Sequence, residues 1–201
     1  MIIEAQKYLN ANLAVKKQII DYYNKNCGSL VKKSRQYKVK YSDNWCATFT
    51  SFIAHKCGLT QFEFPYECGV QEQVKIAVDR KTFYSDRDMI KRNDLIIYDW
   101  DKNGWADHVG IVMGVKDGYI QVIEGNIRDT VGYRNVPIKS TSIKGFIRLP
   151  YDENPVNSDQ RIIDLAKRVI KGELGAGLER QRNLGSDFKE VQAMVNKLLK
   201  Q

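Results

Sequence analysis

Histidine is scarce in this 201-residue chain: only His55 and His108 occur, so any imidazole chemistry falls on one of two positions. Cysteine is little commoner. Cys27, Cys46, Cys57 and Cys68 include no C-x-x-C spacing, which argues against a zinc ribbon or a thioredoxin-type redox pair. No window approaches the roughly 18 uninterrupted apolar residues that a spanning helix needs, so no membrane insertion is expected. The opening "MIIEAQKYLN" has Glu4 and no apolar h-region, and does not read as a secretory signal. The expectation is synthesis in a cytoplasm with free thiols, and release by another agent if the protein works outside.

What is present is the composition of a folded protein, 43% hydrophobic and 28% charged. The length suits one ordinary domain and a small second one. The net charge of +8 is unevenly placed: residues 151–201 hold nine basic and eight acidic groups, leaving +7 to residues 1–150. Lys25, Lys32, Lys33, Arg35, Lys38 and Lys40 share a segment without an acid. The segment reads either as a solvated loop or as a surface for a polyanion such as an anionic cell wall. No helix-turn-helix, zinc-finger or RRM signature accompanies it, which argues against nucleic acid.

Along the chain, residues 3–26 read as helical. "WCATFTSFIAHKCG" has helical length and periodicity, with Asp43 or Asn44 as N-cap candidates and Gly58 as a C-cap candidate. A shorter helix is expected over 69–79. From Asp94 the pattern changes to strands: "DLIIY", "HVGIVMGV", "YIQVIEG", "VGYRNVPI" and "IKGFIRL". Helices followed by strands imply an α+β domain on an antiparallel sheet, spanning 1–150. Residues 151–159, with two prolines, read as a linker. Residues 160–201 carry two apolar helical stripes, punctuated by Gly172, Gly175, Gly177 and Gly185, and predict a compact three-helix module.

Of the histidines, His55 lies nine residues after Cys46, about 13 Å along one helix and on the opposite side, so it cannot serve that thiol. Cys57 reads as a small buried hydrophobe. Cys46 stands in the first turn, where unpaired N–H groups and the helix dipole stabilise a thiolate and can face an oxyanion. His108 opens a strand. If Lys116-Asp117-Gly118 makes a three-residue hairpin loop, His108 comes opposite Asn126 and diagonal to Glu124, an orienting carboxylate and amide. A two-residue Asp117-Gly118 turn would shift the register by one and turn Glu124 away.

"NWCATFTSF", "ADHVGIV" and "VIEGN", in that order over residues 15–149, resemble the CHAP domain, a papain-like cysteine, histidine-dependent amidohydrolase/peptidase. The resemblance implies Cys46 as nucleophile, His108 as general base, Glu124 as orienting carboxylate and Asn126 as a supporting polar group. Within residues 160–199, "LAKRVIKGELGAG", "ERQRNL" and "VQAMVNKLL" resemble the CW-seven cell-wall-binding repeat. That resemblance implies muropeptide binding, with Arg180 as a candidate contact, and both halves then point to peptidoglycan. A single copy implies weak affinity or weak self-association to gain avidity.

The expected reaction is acyl transfer to Cys46, with its backbone N–H and the Asn44 side chain as oxyanion donors, in an N-acetylmuramoyl-L-alanine amidase or an endopeptidase. A lytic amidase joined to a wall-binding module looks like a bacteriophage endolysin acting after holin-type release. A bacterial autolysin, an antibacterial toxin and a non-catalytic wall-binding protein are the rival readings. No cofactor is required by this chemistry. "DWDKNGWAD" nonetheless places Asp99, Asp101, Asn103 and Asp107 at positions 1, 3, 5 and 9 of a calcium loop, while Gly110 stands where the bidentate glutamate belongs. The stretch reads as that loop or as a polar turn before the strand.

Overall fold

The computed structural model describes residues 1–32, 35–150, 158–184 and 188–200. The fold is α+β, with N-terminal helices on a six-stranded antiparallel sheet and three helices at the C-terminal end. Among the described residues no helix is long and apolar enough to cross a membrane.

Residues 3–26 do not form one helix. They divide into α1 (Ile2–Gln6), α2 (Leu13–Tyr22) and a π-turn over Tyr23–Cys27. The break follows from Asn10, which adopts φ 57° and donates its backbone N–H to Val131 O at 2.9 Å. Asn12 then caps α2 by accepting from Val15 N at 3.0 Å. The basic segment that follows exposes Lys25, Lys32, Lys38 and Lys40. Its Arg35 lies 3.4 Å from the buried carboxylate of Glu67. Lys33 lies outside the described residues.

Helix α3 (Cys46–Lys56) is the spine of the domain, with every side chain from Cys46 to Ala54 buried. Burying a helix on all sides requires its polar groups to be paired. Ser51 Oγ donates to Glu67 O at 2.8 Å and Thr50 Oγ1 to Ala47 O at 3.0 Å. The expected helix at 69–79 is α4 (Val70–Asp79).

The strands are β1 (Phe83–Tyr84), β2 (Leu95–Tyr98), β3 (His108–Lys116), β4 (Tyr119–Ile127), β5 (Thr130–Pro137) and β6 (Ile143–Ile147), in the order β1-β6-β2-β3-β4-β5. Alternation divides their side chains between two faces. Leu95, Ile97, Val109, Ile111 and Ile123 pack with α3, whereas Ile96, Tyr98, Val112, Ile120 and Val122 form a second cluster with Phe146. Gly125 lets β4 come close to α3, since a Cβ there would lie 2.5 Å from Phe49 Cβ.

The β3–β4 turn is the two-residue Asp117-Gly118 form, with φ 51° and 78°, not the expected three-residue loop. The anticipated loss of register does not follow. A bulge between Val112 and Gly114 inserts one extra residue into β3 and restores the offset, giving Val112↔Val122 and Ile111↔Ile123.

Helices α5 (Ser158–Ile170), α6 (Gly177–Leu184) and α7 (Phe188–Leu198) share a separate core of Ile162, Leu165, Ala166, Val169, Leu174, Leu184, Val191 and Val195. Helix α5 begins at Ser158, one residue before the expected end of the linker; residues 151–157 and Gly185 lie outside the described residues.

Candidate active site

Cys46 is the first residue of α3, and Trp45 is the N-cap, in place of Asp43 or Asn44. Asp43 instead accepts from Lys40 N at 2.8 Å and Tyr37 Oη at 2.9 Å. No side chain caps α3, so the N–H groups of its first turn are left for an anion. The Trp45 indole is fixed separately: Nε1 donates to Asp129 Oδ1 at 3.2 Å, and the same oxygen receives Nζ of the buried Lys16 at 2.5 Å.

His108 is the first residue of β3 and only 8% exposed. Its Nε2 lies 3.1 Å from the Glu124 carboxylate, and the Cys46 side chain is near enough to favour the charged ring. Glu124 is fully buried. It also accepts from Tyr98 Oη at 2.7 Å and from Arg134 Nε at 2.8 and 3.0 Å. The carboxylate therefore has donors from β2, β3 and β5 aimed at it, enough to hold it in place and ionised.

Burial works against the charged form of both members of this pair. In His108 the Cys46 and Glu124 side chains outweigh it and raise the imidazole to about 9. In Glu124 burial would raise the carboxyl, but His108, Tyr98 and Arg134 prevail and hold it below the usual range.

Asn126 does not act on His108 directly. It sits at a second bulge, between Glu124 and Ile127, with φ 61°. From there its Nδ2 donates to Asn44 Oδ1 at 3.0 Å. With its oxygen so engaged, Asn44 keeps its own amide N–H groups free to donate.

The remaining sequence candidates lie elsewhere. His55 Nδ1 is 3.0 Å from Tyr22 Oη, and burial lowers its pKa. Cys57 is half-buried rather than fully buried. Asp99, Asp101 and Asp107 bring one oxygen each within 4.8 Å of one another. Those acids also close their own turn: Asp99 accepts from Asn103 N and Gly104 N, and Asp107 from Trp100 N. The Asn103 amide is turned inward, Nδ2 to Asp101 and Oδ1 from Trp105 N. Gly110 offers no side-chain oxygen, so the donor set for calcium stays incomplete. In the C-terminal helices Arg180 is half-buried, giving Nε to Gly175 O and Nη1 to Gln192 Oε1, both at 3.1 Å.

Tyr98, Arg134 and Trp100 were not singled out from the sequence. Tyr98 ends "DLIIY" and Arg134 lies mid-strand in "VGYRNVPI", so their approach to Glu124 depends on the pairing of three strands. The Trp100 ring stacks on Tyr98 at 4.4 Å, and Arg134 lies over it at 5.2 Å. Beside His108 a cleft of about 810 Å³ is lined by Asn10, Trp100, Asn126, Arg128, Tyr133 and Arg134 among others.

Comparison with protein families finds that residues 36–126 match the CHAP domain and residues 164–199 match the CW_7 repeat. No curated protein matches the chain. The two matches, in this order, support a cell-wall hydrolase of the peptidoglycan amidase or endopeptidase class with a wall-binding module.

Proposed function

We propose that this chain, which carries a CHAP domain followed by a CW_7 repeat, is an endolysin that hydrolyses an amide bond of peptidoglycan through a thioester on Cys46. The observation that carries the reading is the buried His108–Glu124 pair at 3.1 Å, with Cys46 opening α3 and acting on the same imidazole. Cysteine at a helix start, imidazole on a strand and a buried carboxylate behind it are the parts nucleophilic acyl transfer needs.

With the proton held on His108, the Cys46 thiolate attacks the amide carbonyl. The carbonyl oxygen becomes an oxyanion beside the Cys46 N–H and the Asn44 amide, which Asn126 orients. The imidazolium then gives its proton to the departing amine, leaving a thioester on Cys46. Neutral His108 takes a proton from water, the hydroxide attacks the thioester, and the Cys46 thiolate departs beside the imidazolium while the new carboxylic acid gives its proton to solvent. Glu124 stays ionised throughout; it holds the ring so that its other nitrogen faces Cys46 and stabilises the imidazolium. Thiol, imidazole and carboxylate supply every group in this scheme, so it includes no cofactor.

The three-helix module, on this proposal, holds the enzyme at the wall, with Arg180 among its contacts. Mass spectrometry of purified walls after digestion tests the reaction: a new amine and a new carboxylate must appear at one amide. Their position separates cleavage at the N-acetylmuramoyl–L-alanine bond from cleavage within a peptide.

A further inference from the structure

The cleft beside His108 has a charge pattern that the acyl-transfer scheme does not use. Among the described residues its wall carries Arg128, Arg134 and the His108 ring together with Asn10, Asn126 and Asn135, and no acidic side chain. Arg134 is the informative member. Its Nε is committed to both oxygens of Glu124, and its guanidinium plane lies over the rings of Trp100 and Tyr98 at 5.2 and 5.9 Å. Among the described residues its two terminal nitrogens have no hydrogen-bond partner. Arg128 lies in the β4–β5 turn with φ 53°, exposed and likewise without a partner among the described residues.

An arginine already held by a carboxylate and an aromatic ring has lost its side-chain freedom in advance. A ligand meeting its free edge then gains hydrogen bonds at little ordering cost. The planar fork matches a carboxylate. The cleft has the volume of a peptide or sugar site, and Trp100, 43% exposed, offers a face beside the fork.

We propose that Arg134 and Arg128 form a subsite for a free carboxylate of the peptidoglycan stem peptide, next to the scissile amide. The assignment of the ligand rests on the peptidoglycan reading above. Arg134 thereby joins the substrate to Glu124 through one guanidinium.

The test uses the full chain with Cys46→Ala, which binds without turnover. It compares two muropeptides identical except that one stem carboxylate is free or amidated. Calorimetric titration is expected to show the free form binding at least about tenfold more tightly, the usual worth of a charge-assisted pair. Arg128→Gln or Arg134→Lys in that background should shrink the preference below about threefold. The Arg128 change sits on an exposed turn, so the test stands even if the Arg134 variant fails to fold. Equal affinity for the two muropeptides, no binding of either, or a full preference retained by Arg128→Gln overturns the subsite. Wall digestion by the unaltered chain is scored separately. Cleavage without a carboxylate preference sinks only the subsite, and a preference without cleavage sinks only the hydrolase reading.

Discussion

Gly110 lies directly beneath the Glu124 side chain: a Cβ at 110 would stand 2.7 Å from Glu124 Cγ and 3.3 Å from its Oε1. The carboxylate reaches His108 diagonally by crossing a strand position that has no side chain. Gly110→Ala should displace it, lowering kcat by roughly 10–100-fold, the usual effect of an ångström-scale misplacement. KM should change little. Steady-state kinetics on soluble muropeptides would check this, and unchanged kcat would show that Glu124 has room to adapt.

His108 makes the pH dependence specific. Raised from 6.5 to about 9, it keeps its proton through neutrality, so activity should fall on the alkaline side near pH 9. Its pairing also adds stability below about pH 6.5 that is lost as pH rises through about 9. Glu124 behaves in the opposite sense, its contribution disappearing as pH falls through its depressed value. Cys46→Ala and Glu124→Gln each remove a raising partner and leave burial in place, so each should lower the His108 pKa. NMR titration of the imidazole reads this directly.

Tyr98 Oη and Arg134 Nε compensate a carboxylate that is fully buried. Tyr98→Phe keeps the packing and removes one donor. Stability should drop by about 1–2 kcal/mol, with kcat reduced about tenfold. Denaturant melts paired with kinetics would separate this from a purely structural effect, which would leave kcat intact.

Lys16 and Asp129 form an asymmetric pair, side chains 7% and 61% exposed, that also holds Trp45 beside Cys46. Asp129→Ala strands a buried ammonium. Water near the exposed partner softens the loss to about 1–2 kcal/mol, below that of a fully buried pair. Lys16→Met replaces the charge with an apolar chain of similar length and should cost less. Urea denaturation of both variants checks the order, and a costlier Lys16→Met would reverse the argument.

Much of this site was legible in the sequence because its motifs are short and local: a cysteine opening a helix, a histidine opening a strand and a glutamate across the hairpin. His108 and Glu124 meet despite the two-residue turn, because the Asp117-Gly118 turn and the bulge before Gly114 offset one another. A bulge is set by backbone twist and packing, and leaves little trace in an apolar run such as "GIVMG". Asp43 does not cap α3 because it has nearer donors in Lys40 N and Tyr37 Oη. Tyr98 and Arg134 escaped notice because their relevance depends on strands that meet only in the folded sheet. The even positions of β5 offered a signal: Arg134 pairs with Val122, one step of alternation from Glu124.

The C-terminal helices have a core of their own, from Ile162 to Val195. A chain ending at residue 150 should therefore retain cleavage of soluble muropeptides yet lyse intact cells more slowly. Turbidity assays with both chains at equal concentration would show it, and equal lysis would remove the targeting role.

The most direct test of the central claim is the mass spectrum of purified peptidoglycan after exposure to Cys46→Ala, with Cys57→Ser as control. The account predicts folded protein and no new amine or carboxylate with Cys46→Ala, and products matching the unaltered chain with Cys57→Ser. Undiminished cleavage by Cys46→Ala would contradict it.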